Sequence, residues 1–174
     1  MIADPEMAAK ARDGRIDDVR ACIGCNQACI GHMHTGYPIS CIQHPETGRE
    51  LTHAARVPAK LRRRILVAGG GPAGLKAAAV AAERGHDVVL YERARQVGGQ
   101  VLLAQRLPGR AEFGGLVTNL VHEARQAGAK FVTGAAVTAE LIQEVRPEAI
   151  ILATGARPRR TDVPGHEEAH VVDA

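Results

Sequence analysis

An α/β fold built on a parallel sheet is predicted by three observations. Short apolar runs, "ILVAG", "VVLYE", "KFVTG" and "AIILAT", alternate with segments of helical period. Aromatic residues make up 2% of the 174 residues while 45% are apolar, so the core has to be Val, Ile, Leu and Ala packed closely, as helices on a parallel sheet pack. A glycine-rich turn, "GGGPAG", follows the first apolar run and opens the first long helical segment.

The elements follow in order. "PEMAAKAR" reads as a short helix, with Asp4 as its N-cap, Pro5 in the first turn and Gly14 where a C-terminal stop belongs. From Cys22 to about Val57 neither period persists, and Gly, Pro, His and Cys recur. Such a stretch cannot bury enough apolar surface to order itself, so a bound group is expected to order it. From Arg64 the spacing predicts a strand, a helix from Ala73 to Arg84, a strand ending at Glu92 and a long loop. A second long helix lies in "EFGGLVTNLVHEARQAG", where Phe113, Leu116, Val117, Leu120, Val121 and Ala124 give one apolar face. "KFVTG", a short helix near Glu140 to Val145 and "AIILAT" complete an expected parallel three-layer sandwich.

Composition excludes several function classes. The net charge of +3 is modest, and the one dense basic run, Lys60 and Arg62 to Arg64, precedes a strand and reads as its solvated entrance. With so few aromatic residues there is no stacking platform for bases, so no nucleic-acid partner is expected. No apolar run reaches the roughly 18 residues of a membrane span, and the polar first twenty residues do not resemble a signal peptide. The expected location is the cytoplasm, where thiols stay reduced and serve as ligands rather than as disulfides.

The glycine turn carries the first chemistry. Gly69, Gly71 and Gly74 have the G-x-G-x-x-G spacing between strand and helix, which lets backbone N–H groups approach a pyrophosphate. Ala78 keeps the helix close to the sheet, and Gly85 ends it. Glu92, eighteen residues past Gly74, closes the second strand, where a carboxylate accepts hydrogen bonds from a ribose 2′-OH and repels a 2′-phosphate. These features define a Rossmann-like, FAD/NAD(P)-binding type of sheet. The turn alone does not decide between FAD and NAD.

The four cysteines carry the second. Cys22-x2-Cys25-x3-Cys29-x11-Cys41 places three thiols in one tight loop with a fourth at a distance, as in cubane [4Fe–4S] ligation. Structural zinc usually takes two close pairs, yet His32, His34 or His44 could complete such a site, so spacing alone leaves both metals open. Gly24 and Gly31 would let N–H groups reach the sulfurs, and Ile23, Ile30 and Ile42 would keep water away.

Taken together, "DDVRACIGCNQACIGHMHTGYPISC", "VAGGGPAGLKAA", "VVLYERARQVGGQ" and "AIILATGARP" resemble the 2,4-dienoyl-CoA reductase and trimethylamine dehydrogenase family, old yellow enzyme-like iron–sulfur flavoproteins. The resemblance covers essentially the whole chain. It implies that residues 1–20 correspond to the tail of an FMN-bearing TIM barrel, 21–60 to a 4Fe-4S loop and linker, and 61–174 to a truncated FAD-binding domain. It implies Cys22, Cys25, Cys29 and Cys41 as cluster ligands. Around the dinucleotide it implies Gly69, Gly71, Pro72, Ala73, Gly74, Glu92, Arg93, Gly99, Gln100, Val137, Ala153, Thr154 and Gly155. FAD is the implied cofactor, with ADP as the alternative. FMN and NAD(P)H would act only through a barrel and a nicotinamide-binding domain that are the implied partners, and no catalytic residue carries over. The expected role is electron transfer between FAD and FMN. The alternatives are a zinc-stapled nucleotide-binding module and a degenerate fragment without redox activity.

Overall fold

The computed structural model describes residues 2–53, 56–157, 159 and 162–171. Four strands form one parallel sheet, β1 (Arg64–Ala68), β2 (Asp87–Glu92), β3 (Lys130–Thr133) and β4 (Ala149–Leu152), in the order β3-β2-β1-β4. Helix α4 (Pro72–Glu83) links β1 to β2, and α6 (Gly114–Gln126) lies between β2 and β3. Helix α7 (Ala139–Val145) belongs to the crossover from β3 at one edge to β4 at the other. The register runs Leu66 beside Val89 on one side and beside Ile150 on the other, so each residue of β1 has a neighbour in both flanking strands.

Alternation along the strands assigns the two faces. Ile65, Val67, Val88 and Leu90 point to the face packed by Leu75, Ala78, Ala79 and Ala82 of α4 and by Leu120 and Ala124 of α6. Val67, Leu75, Ala78, Ala79, Leu90 and Ala124 are wholly buried. Each such leucine contributes roughly 2–3 kcal/mol of transfer free energy. The four buried alanines of α4, Ala78, Ala79, Ala81 and Ala82, let its backbone lie close to the strands, as the sequence predicted for Ala78.

The third layer is thinner than expected. Helix α7, in the crossover from β3 to β4, buries no residue fully in its two turns. Leu66 and Ala68 are buried on that face, whereas Val132, Ile150 and Leu152 stay exposed, Leu152 by 78%.

Among the described residues, 2–53, 56 and 57 do not form a second apolar core. They hold three short helices, α1 (Met7–Arg12), α2 (Ile30–Thr35) and α3 (Glu50–His53), of which the last two lie in the stretch read from sequence as irregular. This stretch lies against α4 and α6 through a polar seam. Arg20 pairs with Glu123 at 2.7 Å, Arg56 with Glu83 at 2.9 Å, and Asp18 accepts from His122 at 2.8 Å and Gln126 at 2.7 Å. Arg56 also pairs with the buried Glu46.

Asp4 does something other than cap a helix. Helix α1 starts at Met7 without a side-chain cap. The carboxylate of Asp4 is buried and accepts from the backbone N–H of Glu6 at 3.0 Å, that of Arg20 at 2.8 Å, and Lys10 Nζ at 2.8 Å. It thereby fixes the chain two residues before Cys22. The segment after β2, expected as loop, contains a short helix, α5 (Val101–Ala104), and a 3-10 turn, Ala111–Phe113.

Candidate functional site: a glycine turn and a cysteine loop

The glycines of the turn do three different things. Gly69 has φ +109°, and a Cβ there would run into the carbonyl oxygen of Ala153. A Cβ on Gly74 would meet the carbonyl oxygen of Gly69, so this glycine is what lets α4 start so close to β1. Gly71 is different. The nearest atom to a Cβ built on it is Gly99 Cα at 4.0 Å, which leaves space above the turn. Pro72 occupies the first position of α4, where its missing N–H costs nothing, and Ala73 stands exposed beside it. No side chain caps this helix end. Its free N–H groups and helix dipole face the open side of Gly71, which fits the diphosphate of a dinucleotide.

Beside the turn is a groove of about 260 Å³ lined by Ala68, Gly69, Tyr91, Glu92, Arg93, Ala135, Ala136, Val137 and Thr154. Four of the expected residues, Glu92, Arg93, Val137 and Thr154, therefore meet Gly69 in one place. Glu92 is already engaged. One oxygen accepts from Gly70 N–H at 2.6 Å and the other from Ala94 N–H at 2.9 Å, so it braces the turn as well as facing the groove. Each carboxylate oxygen keeps a further lone pair for a hydroxyl. Gly99 packs against Gly71, and Gln100 donates through Nε2 to Ala156 O at 3.3 Å, joining the "VGGQ" and "ATGARP" segments. Ala153 lies half-buried beneath Gly69, with Thr154 and Gly155 exposed beyond it.

In the cysteine loop, backbone and side-chain hydrogen bonds gather three stretches. Ser40 N–H donates to Ala28 O at 2.8 Å, and Gln43 Nε2 donates to Ala21 O at 2.8 Å. The segments bearing Cys22, Cys29 and Cys41 are thus tied to one another. Gly24 N–H points at Cys22 Sγ at 3.4 Å, the approach of backbone to sulfur expected of this glycine. Gly31 N–H instead donates to Asn26 O, across a turn in which Asn26 takes φ +55°. All four cysteines are free thiols, Cys22 exposed and the others half-buried. Among the described residues no group of three or more His, Cys, Asp or Glu side chains is placed to hold a metal ion. The thiols are the right donors for iron or zinc. His32 Nδ1 bonds Pro38 O and His44 Nδ1 bonds Thr47 Oγ1, so on these two rings a metal would be met by Nε2.

The expected water shield is uneven. Ile23 is 4% exposed, but Ile30 faces solvent at 44%. Ile23 packs beside Gly115 of α6, where a Cβ would already sit 3.4 Å from its Cγ2. A second apolar cavity, of about 300 Å³, lies here between the two loops. Ile23, Cys25, Gln27 and Ile42 form one wall, and Gln100, Val101, Ala104, Phe113 and Leu116 form the other.

The profile of the pyridine nucleotide-disulphide oxidoreductases matches residues 63–174. The chain is 38% identical over 97% of its length to an NADH oxidase from Thermoanaerobacter brockii, of which it covers 26%, and 39% identical over its whole length to a metal reductase from Desulforamulus reducens, again covering 26%. A 2-naphthoyl-CoA reductase structure superposes on 97% of the chain with a TM-score of 0.89 at 31% identity, covering 26% of that protein. Histamine dehydrogenase from Rhizobium sp. 4-9 superposes on 91% with a TM-score of 0.82 at 37% identity, covering 24%. The chain belongs to the pyridine nucleotide-disulphide oxidoreductase family. Within it, the relatives are of the old yellow enzyme-like, trimethylamine dehydrogenase type that the cysteine and glycine motifs resemble. The chain spans about a quarter of the length of these relatives.

Proposed function

We propose that this chain is the electron-transfer part of an iron–sulfur flavoprotein oxidoreductase, binding FAD at the glycine turn and a [4Fe–4S] cluster through Cys22, Cys25, Cys29 and Cys41. A flavin exchanges electrons in pairs or singly and a cluster only singly, so the two together split a hydride's electrons. The observation that carries the reading is the shared cavity: Cys25 of one loop and Gln100 of the other line the same 300 Å³ space. A cluster at Cys25 and a flavin beside Gln100 would be neighbours across this largely apolar space.

The chain's own residues supply the binding. Gly71 and the uncapped start of α4 offer N–H groups to a diphosphate. Glu92 accepts from a ribose hydroxyl with the lone pairs left over from Gly70 and Ala94, and Arg93 and Val137 flank the adenosine half. Thr154, which lines the same groove, and the adjoining Gly155 would complete the dinucleotide contacts. Gly24 N–H points at Cys22 Sγ, and with a cluster bound this hydrogen bond would lower the charge density on that sulfur and favour the reduced state. Ile23 and Ile42 screen the cluster from water. An FMN-bearing barrel would stand at the N-terminal side, and an NAD(P)-binding domain would serve the FAD. The cytoplasm, where these thiols would stay reduced, suits such a protein.

Anaerobic purification followed by iron, sulfide, zinc and flavin analysis tests this. The reading predicts iron and sulfide in near equal amounts, about four of each per chain, with a broad visible absorbance that bleaches with dithionite. Zinc without sulfide would make the cysteines a structural staple and remove the redox role.

A further inference from the structure

Glu123 touches both halves of the proposed site without belonging to either. Its Oε1 accepts from Arg20, both Nε and Nη2 at 2.7 Å, and its Oε2 accepts from Lys76 Nζ at 2.9 Å. Arg20 stands two residues before Cys22, and Lys76 two residues after Gly74 on the helix that the glycine turn opens. One carboxylate on α6 therefore joins the entrance of the cysteine loop to the helix of the dinucleotide turn.

The geometry leaves Arg20 little freedom. Its backbone N–H is held by buried Asp4 at 2.8 Å and its Nη1 donates to Ala3 O at 3.1 Å. The Arg20 and Glu123 side chains are each only 16% exposed, so water replaces this contact poorly. Lys76 on one helix and Glu123 on the next are forty-seven residues apart, and Arg20 and Glu123 one hundred and three, so no local turn could impose the arrangement. The other ties across the seam, Arg56 to Glu83 and Asp18 to His122, join the cysteine half to a single helix each.

We infer that Glu123 is a positioning residue that sets the place of the cysteine loop relative to the dinucleotide turn. The geometric claim stands without either cofactor; its consequence for electron transfer rests on the function proposed above.

The test compares amide hydrogen exchange in the whole chain for Glu123→Gln, Arg20→Lys and Lys76→Met, with Asp87→Asn as the control, since Asp87 pairs with Lys130 away from the seam. E123Q keeps the shape and removes the charge that two cations share. Exchange across residues 19–30 is expected to rise about tenfold in E123Q while β1 and β2 keep wild-type rates. R20K, which keeps the charge but not the fork, should rise less, and D87N should not change residues 19–30. If E123Q does not fold, R20K and K76M decide the matter. Unchanged exchange over 19–30, or an equal rise over 19–30 and 64–92, overturns the inference. In iron- and flavin-loaded chain, E123Q should slow flavin-to-iron transfer while both potentials hold. A slowing that follows from a shifted potential overturns the positioning role. Chain that purifies without iron removes the proposed function and leaves the exchange comparison to decide this inference.

Discussion

The two halves of this chain are held by different forces. The parallel sheet and its helices close on wholly buried Val67, Leu75, Leu90 and Ala124, whereas residues 2–57 bury few apolar side chains, Ala3 and Ile23 among them, and attach through carboxylates and cations. Apolar burial is non-directional and survives salt and pH. Ion pairs are directional, and breaking one partner of a desolvated pair costs more than the pair contributes. The first half can therefore fold on its own terms, while the second is held in one orientation that depends on a few charges.

That difference can be broken from either side. Leu90→Ala, at a wholly buried position between the sheet and its helices, should cost about 2–5 kcal/mol and shift the denaturant midpoint of the whole chain. Asp4→Ala should cost about 3 kcal/mol, because it leaves Lys10 and two backbone N–H groups without their acceptor, but only residues 2–57 should loosen. Tryptic cleavage after Arg12, Arg15 and Arg20, with the sheet still resistant, is the expected pattern. If Asp4→Ala lowers the sheet's own midpoint equally, the two halves are not separable.

Gly115→Val should act at the contact between them. A Cβ already fits tightly against Ile23, so two further methyl groups force the cysteine loop off α6 at a cost of about 1–3 kcal/mol. Fluorescent labelling of Cys25 should quicken while far-UV circular dichroism stays unchanged.

Acid should give the smallest and most selective effect. Burial pushes the Asp4 carboxyl up, but Lys10 and the N–H groups of Arg20 and Glu6 outweigh it and hold the group below its ordinary 3.8. Burial likewise pushes Glu46 up, and its own backbone N–H and Arg56 bring it below 4.5. His44 is lowered from 6.5, chiefly by burial, with Arg20 and Lys76 adding to the effect against Glu46. In all three the unfolded form binds protons first, so the stabilisation is complete above the ordinary value and is lost as pH falls through the folded one. The seam should accordingly weaken from near pH 6.5 downward as His44 gains its proton, and further as pH falls through the lowered values of Glu46 and Asp4, ahead of the sheet, as followed by exchange in residues 19–30.

How far the sequence carried differs between the halves for the same reason. The four strands, α4 and α6 were legible because apolar period survives in the sequence, and the predicted ends differ from the observed ones by one or two residues. The glycine turn was legible too, since strand, spacing and helix agree. What was not legible is the seam. Arg20, Lys76, Glu83 and Glu123 look like any solvated charges, and only folding brings the separated pairs together. Glu92 was legible as a ribose acceptor but not as a brace, because its bonds to the N–H groups of Gly70 and Ala94 depend on the folded turn. Gly115 is a quieter case: in "FGGL" it reads as a helix start, and its role as a seat for Ile23 depends on a contact ninety-two residues away.

The central claim is that electrons pass between the glycine turn and the cysteine loop. It is tested most directly by photoreducing FAD-loaded, iron-containing chain without oxygen and following the flavin absorbance and the iron–sulfur EPR signal in one sample. The account predicts that the flavin bleaches and the EPR signal rises with it. A flavin that stays reduced beside an oxidised cluster able to accept electrons from dithionite would contradict it.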